Sequence, residues 1–296
     1  MKKFILKSLK YAAFIVLGYL SIIFCYYFLI QWYNKNPYTA TNKKVFVIGN
    51  SHPQCAIKDT ADIANFSMGG ETVFYSVVKA RKTLEAQPNA IICIEFSPLS
   101  ITSANLNIAD NRLPKNYRKY MYFMTPEEHF FLLKNNPLKT ARVFLSPDFN
   151  SAFNKTASFL TLHSASGRKK SNSLKHNAKR SSIHDEKTKH IEVYDEEVEM
   201  QNYYSLLQLI DSHPNNLFII TTMPKSKRFV AQPTQKYFNC IRTLTQKDNV
   251  CRLDYSQNDF SENDFSDPEH MNFQGQQKFT KLFAENVQKI REAKGF

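Results

Sequence analysis

The sequence predicts an α/β fold, a parallel sheet with helices on both faces. The first observation is a set of short, uninterrupted apolar runs, which are typical of strands buried on both faces. The second is that segments with helical apolar spacing alternate with these runs, which favours parallel strands joined by right-handed crossovers. The expected strands are 45–48, a brief one within 64–71, 90–94, 217–220 and 250–255, and the expected helices are 72–85, 194–211, 233–246 and 274–293.

Length and composition place the chain among globular proteins. Its 296 residues are enough for one sizeable domain or two small ones, and 43% hydrophobic against 22% charged residues is a globular balance. The net charge of +13 favours an anionic neighbourhood such as lipid headgroups or an acidic polymer. No nucleic-acid-binding motif accompanies the charge, so we expect no nucleic acid partner.

The N-terminus carries a candidate membrane span. Residues 11–30 contain no charge and are long enough to cross a bilayer as a helix. Lysines precede the span on one side only, which predicts that 1–10 are cytoplasmic and that the rest lies outside the cytoplasmic (inner) membrane. A cleaved signal peptide is the alternative, but the aromatic belt around Tyr26 and Trp32 favours an uncleaved anchor over 11–31.

The remainder divides into a stalk, a domain and an insert. Residues 32–42 are polar and are expected to form the stalk, and 43–296 form the α/β domain. An insert at 100–192 interrupts it: 100–165 is aromatic-rich and predicted to be partly helical over the carboxyl edge of the sheet. The basic segment 166–192 is predicted to be a mobile loop. It either binds an anionic partner or is a solvated loop without one.

Two short motifs at opposite ends of the domain carry candidate chemistry. After the strand 45–48 come Gly49, Asn50, Ser51 and His52, at the sheet edge where α/β proteins bind ligands. Taken alone, Ser51 could equally be a helix cap. Far downstream, Asp267 stands three residues before His270, and a serine nucleophile needs such an imidazole base oriented by a carboxylate.

Each motif has competing explanations. Asp267 could cap a turn, and Asn272 could cap the last helix. Three further carboxylates near the loop could orient His270 instead: Asp254, Asp259 and Asp264. A metal site is a further alternative, with the ligands His52, Asp264, Asp267 and His270, but no close-spaced ligand pair supports it and we expect none.

Together the two motifs resemble the SGNH (GDSL-like) hydrolase superfamily, over roughly 43–285. The resemblance implies a flavodoxin-like three-layer sandwich with Ser51 as nucleophile, His270 as general base and Asp267 as its orienter. It further implies that backbone N–H groups of Ser51 and Gly70 stabilise an oxyanion. Ser97 stands where the third block of the family has an Asn that donates to the oxyanion, so the resemblance implies that Ser97 is the third donor. Asn50 stands where the family has Asp, and it is expected at the oxyanion or substrate-binding site.

The resemblance extends to function and partners. The chain is similar to membrane-anchored members of the superfamily that act on cell-envelope polymers, such as alginate O-acetylation proteins and the D-alanyl lipoteichoic acid transfer protein. The resemblance therefore implies acyl-ester hydrolysis or O-acyl transfer on an extracytoplasmic glycan or lipid-linked polymer, without a cofactor. His52 is expected to line the pocket or bind substrate. The alternative function is an inactive scaffold that binds an anionic envelope polymer or a partner protein.

Cysteines and isolated glutamates give four smaller expectations. In an exported domain, Cys240 and Cys251 are expected to form a disulfide. Cys93, like Cys55, is expected to be a small buried hydrophobe. Neither Glu71 nor Glu95 has a partner that the sequence indicates, so both are expected to face solvent.

We predict that the protein stays membrane-bound with its C-terminal domain outside the cytoplasm. An uncleaved span with lysines on its N-terminal side only should hold this orientation. Protease added to spheroplasts should then digest the domain while leaving a protected N-terminal fragment. Release of a soluble product lacking residues 1–30 would contradict the prediction.

Overall fold

The computed structural model describes residues 1–33, 42–102, 113–121, 123–145, 190–193 and 200–296. The helices are α1 (Lys2–Tyr33), α2 (Ser51–Ala56), α3 (Val73–Ala86), α4 (113–120), α5 (Pro126–Asn135), α6 (Pro137–Leu145), α7 (Met200–Asp211), α8 (Gln235–Thr245) and α9 (Phe273–Lys294). The strands are β1 (Val45–Ile48), β2 (Ile63–Asn65), β3 (Ile91–Glu95), β4 (His190–Val193), β5 (Phe218–Thr222), β6 (Phe229–Gln232) and β7 (Val250–Asp254). Most of the predicted stalk and 166–189 of the predicted basic loop lie outside the described residues.

The chain forms two compact units, residues 1–37 with 113–158 and residues 38–112 with 159–296. In the larger one, five strands form an all-parallel sheet in the order β2-β1-β3-β5-β7. The predicted α/β class is thereby confirmed. Counting only these strands, the order is 2-1-3-4-5, one of the two common orders of doubly wound sheets.

Alternation along the strands buries both faces of the sheet. Val45 and Val47 pack on one face, in a cluster with Phe279 and Phe283 of α9. The residue between them, Phe46, is equally buried and its ring lies 5.2 Å from that of Phe66. All residues of β1, β3 and β5 are buried, which explains their uninterrupted apolar sequence.

The predicted disulfide between Cys240 and Cys251 is wrong, because both thiols are free. Successive side chains of a strand point to opposite faces. Cys251 points to the face of β7 that packs in the α9 cluster. Cys240, on α8, instead has its sulfur 4.0 Å from that of Met200. Cys93 is buried as expected, and Cys55 is partly buried.

A second, two-stranded parallel sheet joins β4 to β6, and the sequence analysis missed it. His190 pairs with Phe229, and Val193 pairs with Gln232. The strand β4 includes 190–192, which had been assigned to the basic loop. Four residues that alternate polar and apolar, next to a long polar segment, are too short a signal to predict a strand.

The smaller unit joins α1 to the described helices of the insert. One stretch of α1, Lys3–Leu29, is long and apolar enough to cross a membrane. Tyr27 of α1 hydrogen-bonds through its hydroxyl to Nε2 of His129 at 2.9 Å, and the hydroxyl of Tyr117 lies 2.9 Å from Nδ1 of the same ring. The partly helical character predicted for 100–165 is therefore seen in 113–145.

A tight loop before α9 depends on one glycine. Asn272 caps α9, because its side chain accepts hydrogen bonds from the N–H groups of Gln274 and Gly275. A Cβ on Gly275 would stand only 2.1 Å from the carbonyl oxygen of Asp264. Phe265 and Met271 form a β-bridge that closes the loop between them. The absence of a side chain at 275 thus lets helix and loop lie against each other.

We predict that Gly275→Ala lowers the free energy of unfolding by about 2 kcal/mol or more, since the methyl group meets backbone that cannot move aside alone. Gln274→Ala is the matched control, because this neighbouring side chain is exposed. Denaturant unfolding of the full chain in detergent measures both. Equal stability of the two variants would contradict the close contact at Gly275.

Candidate active site

Polar side chains gather at the carboxyl ends of the central strands. Ser51 is the first residue of α2, directly after β1, and Glu95 is the last residue of β3. Lys225 follows β5, while Asp267 and His270 come from the loop before α9. In doubly wound sheets this edge is where ligands bind.

Ser51, His270 and Asp267 form one hydrogen-bonded chain. Nε2 of His270 lies 2.8 Å from Oγ of Ser51. On the other side of the ring, Nδ1 lies 2.9 Å and 3.0 Å from the two carboxylate oxygens of Asp267. These distances are within hydrogen-bond reach and match the geometry of a nucleophile, a base and an orienting acid. The structure therefore brings together the three residues that the sequence analysis paired.

The Asp267 carboxylate is held in its charged form. Burial raises the pKa of Asp267, but hydrogen bonds from the His270 ring and from the backbone N–H groups of Glu269 and His270 outweigh it, so the net pKa is lowered. Both backbone N–H groups donate to Oδ1 at 2.9 Å. Asp267 thus accepts hydrogen bonds from the turn and from the imidazole at once. The capping role and the contact with His270 are therefore compatible.

Close backbone packing at Gly49 sets the position of Ser51. A Cβ there would lie 2.8 Å from Cβ of Glu95 and 2.7 Å from Cγ of Pro53. Asn50 then caps α2, with its side-chain oxygen accepting the N–H of His52 at 2.8 Å. Asn50 is therefore a helix cap. Its own N–H donates to Oε2 of Glu95 at 3.3 Å.

A glycine turn lies beside Ser51. Met68 donates its N–H to the carbonyl of Gly49 at 3.0 Å, and the N–H of Glu71 donates back to the Met68 carbonyl. Gly70 has φ 76° in this turn, a left-handed conformation that favours glycine. A Cβ on Gly69 would lie 3.6 Å from that of Ser51. The N–H of Gly69 already donates to the Gln54 side chain at 2.7 Å.

A buried ion pair anchors the segment that carries this turn. The ammonium group of Lys79, on α3, pairs with the carboxylate of Glu71 and also donates to the carbonyl of Phe66. Both charged side chains are essentially inaccessible to solvent. The expectation that Glu71 faces solvent is therefore wrong, because a buried lysine two turns into α3 neutralises it.

A second imidazole–carboxylate network adjoins the first, and the sequence analysis missed it. Nδ1 of His52 lies 2.7 Å from Oε1 of Glu95, and Nε2 lies 3.1 Å from Oε2 of Glu269. Nζ of Lys225 lies 2.9 Å from the same Nε2 and donates to Glu269 at 3.0 Å. The rings of His52 and His270 are 5.3 Å apart.

Glu95 and Glu269 raise the pKa of His52. Burial lowers the pKa of the imidazole, as does the Lys225 ammonium, but Glu95 and Glu269 raise it more, so the net pKa is raised from 6.5. Conversely, the hydrogen bond from His52 and the charge of Lys225 outweigh burial and hold the pKa of Glu269 well below its usual range. The opposite shifts of the His52 and Glu269 pKa values are those of an imidazole and a carboxylate in direct contact.

The expectation that Glu95 faces solvent is also wrong. Glu95 is buried at the end of β3, with His52 as its partner. A signal was present, because a glutamate that directly continues a fully apolar strand enters the sheet edge rather than a loop. Nothing in the sequence indicated that Lys225 or Glu269 would meet His52.

Ser97 and His52 both line a pocket of about 240 Å³ beyond the second network. Its walls come from the ends of β3, β5 and β7 and from the start of α8, and include Phe229, Tyr237, Phe238, Arg252, Asp254 and Gln257. The backbone N–H of Ser97 donates to Oγ of Ser100 at 3.0 Å. His52 lines this pocket, whereas the wall includes none of Ser51, Asp267 and His270.

The three carboxylates that could have competed with Asp267 pair with basic side chains instead. Asp264 is 2.7 Å from Nζ of Lys278, while Asp259 pairs with Lys227 at 2.6 Å. Asp254 pairs with Arg252 at 2.5 Å. Within the part of the chain that the structure describes, no three histidine, cysteine, aspartate or glutamate residues are grouped so as to hold a metal ion.

Comparison of the chain with protein-family models and with curated proteins found no match.

We predict that the stabilising effect of His52 fades as the pH rises. A pKa raised in the folded state contributes stability that is fully present below the unfolded value of about 6.5 and lost as pH rises through the folded value. The difference in unfolding free energy between wild type and His52→Gln should shrink accordingly. The same difference in a Glu95→Gln background should depend less on pH. A constant difference in both backgrounds would contradict the raised pKa of His52.

Proposed function

We propose that the protein is a serine-dependent acyl-ester hydrolase or O-acyltransferase that acts on an extracytoplasmic glycan or lipid-linked polymer. The observation that carries this proposal is the continuous hydrogen-bonded chain from Asp267 through His270 to Ser51. A serine hydroxyl is a poor nucleophile until an oriented imidazole takes its proton. The Ser51 hydroxyl lies beside that imidazole at the ligand-binding edge of the sheet.

The reaction proceeds in two half-steps. Oγ of Ser51 attacks the ester carbonyl while Nε2 of His270 takes its proton, and the carbonyl oxygen becomes negatively charged. The tetrahedral adduct collapses as His270 returns the proton to the leaving alcohol, which leaves an acyl-serine. Water or a sugar hydroxyl then attacks, giving its proton to His270, and Ser51 departs with that proton. Asp267 holds Nδ1–H throughout and stabilises the imidazolium.

Backbone groups around Ser51 are the proposed oxyanion donors. The first N–H groups of a helix have no partner inside it, and Ser51 opens α2. The Gly70 N–H, in the turn beside Ser51, is the second proposed donor. Preorganised donors of this kind commonly contribute about 3 kcal/mol each.

The resemblance to SGNH hydrolases supports the same assignment. The 2-1-3-4-5 strand order is compatible with their flavodoxin-like sandwich. The chain departs from the family where its third block has Asn. Here Ser97 packs in the pocket wall, and the buried Glu95–His52 pair occupies the end of β3. We assign His52 to the electrostatics of substrate binding.

Membrane attachment supports an extracytoplasmic substrate. α1 is the proposed single span of the cytoplasmic membrane, with the lysine-rich end inside and the α/β domain outside. The pocket beyond His52 is the proposed site for the sugar that bears the ester. Aromatic rings form part of its wall, and Arg252 is paired with Asp254 and Lys225 with Glu269, which suits an uncharged polyol with an apolar face.

A fluorophosphonate probe tests whether Ser51 is activated. Labelling of the full chain should be lost in Ser51→Ala and retained in Ser212→Ala, whose serine is exposed and lies outside the site. Absence of labelling in wild type, with binding of an anionic envelope polymer, would instead favour a catalytically inactive scaffold.

We predict that Ser51→Ala and His270→Ala each lower kcat for an aryl acetate by about four to six orders of magnitude. The double variant should lose about as much as either single variant, because either change disables the same step. Asp267→Asn should cost less but still at least about a hundredfold, through the wrong imidazole tautomer. Steady-state kinetics of the four variants measures this. Additive losses would show that the residues do not act as one unit.

We predict that Phe238→Ala and Gln257→Ala raise KM for an O-acetylated oligosaccharide about tenfold while leaving aryl acetate hydrolysis unchanged. Each side chain lines the pocket but lies outside the Ser51–His270–Asp267 chain. Loss of one sugar contact of about 1.4 kcal/mol corresponds to a tenfold change. Equal effects on both substrates would exclude the pocket as a sugar site.

A further inference from the structure

We propose that the helical hairpin formed by α5 and α6 is embedded in the outer leaflet of the lipid bilayer beside α1. This inference depends on the proposed membrane placement of α1 and is independent of any activity at Ser51. It adds a second membrane-contacting element to a chain that the sequence predicts to be anchored by one helix alone.

The hairpin contacts α1 well inside its apolar stretch. The hydroxyl of Tyr19 donates to the carbonyl of Leu145 at 2.6 Å, at the end of α6. The rings of Phe24 and Phe144 pack edge to face at 6.3 Å, and Tyr27 meets His129 of α5. Tyr19 and Tyr27 are eight residues apart, about 12 Å along a helix. The contacts therefore cover the C-terminal part of the Lys3–Leu29 stretch.

These contacts place the hairpin in the hydrocarbon region of the bilayer if α1 spans it. If α1 spans a bilayer, a partner that meets Tyr19 must enter the hydrocarbon region, because Tyr19 lies near the middle of the 11–30 span. Helices are suited to that region, since their backbone groups bond internally. Thr125 caps α5, and Thr140 donates to the carbonyl of Leu132, so these two hydroxyl groups are satisfied within the hairpin.

The exposed surface of the hairpin combines large apolar side chains with charged and polar ones. Leu138, at the start of α6, is 86% exposed, and Phe130 on α5 is 67% exposed. Leu133 and Leu145 are exposed as well. Exposed apolar residues of this size on adjoining helices favour lipid contact. Lys134, Lys139 and Arg142 stand among them, and such side chains reach from apolar surroundings to headgroups.

The proposal continues an apolar surface that α1 already exposes. Large hydrophobic side chains of α1 such as Phe14, Ile15 and Phe28 are more than 60% exposed. Together with the hairpin they form a surface within one compact unit. A bilayer covers both parts at once. A protein partner would have to match two helical elements of different length and direction.

Quenching of tryptophan fluorescence by lipids brominated in the acyl chain tests the proposal. The only tryptophan, Trp32, is replaced by Phe, and the full chain is reconstituted in phosphatidylcholine–phosphatidylglycerol vesicles. Tryptophan is then introduced as Leu138→Trp or Phe130→Trp in the hairpin. Phe14→Trp reports on α1, and Tyr204→Trp reports on an exposed position of the α/β domain.

We expect brominated lipid to quench Trp at 138, 130 and 14 by at least about half relative to unbrominated lipid, with little quenching at 204. Iodide in the buffer should quench only the last. Quenching at 14 without quenching at 138 and 130 would overturn the hairpin proposal alone. Lack of quenching at 14 would overturn the membrane placement of α1 and the hairpin proposal with it. Phe130→Trp decides if Leu138→Trp does not fold, and either outcome leaves the fluorophosphonate test of Ser51 unaffected.

Discussion

The close approach of β1 and β3 at Gly49 is the constraint on which the site depends. No Cβ fits there, because Glu95 and Pro53 occupy the space. The approach lets the backbone N–H of Asn50 bond to the Glu95 carboxylate and lets the imidazole of His52 bond to the same group. α2 is thereby fixed against the sheet, and Ser51 is held at its first turn. The loop before α9 supplies the second imidazole, that of His270, which contacts Ser51.

Two histidines with different surroundings follow from this arrangement. His52 is buried between carboxylates, which raise its pKa, while His270 remains partly open to solvent beside Ser51. His270 is the ring with an accessible partner on which to act. Neighbouring residues Ser51 and His52 thus belong to separate networks, because their side chains leave the first turn of α2 in different directions.

The sequence predicted the sheet well because its strands are buried on both faces, so that Val45 to Ile48 or Ile91 to Ile94 read as unbroken apolar runs. It predicted Asp267 and His270 because their spacing lies within one turn. Contacts between segments that are distant in the chain produce no local sequence pattern that could predict them. Glu95, Glu269 and Lys225 meet only through the order of the strands, and Cys240 and Cys251 are kept apart by the alternation of β7. The sequence of 113–145 indicated helices but not the packing of these helices on α1.

The separation of Ser51 from His270 has a consequence for biogenesis. The two residues are 219 positions apart, so most of the domain must be synthesised and folded before they meet. N-terminal parts of a chain tend to fold first during synthesis. A nascent chain that already carries the glycine turn and α2 still lacks the imidazole that contacts Ser51 in the folded domain. The hydrogen-bonded chain from Asp267 to Ser51 therefore forms only once the segment before α9 has been synthesised and has packed on the sheet.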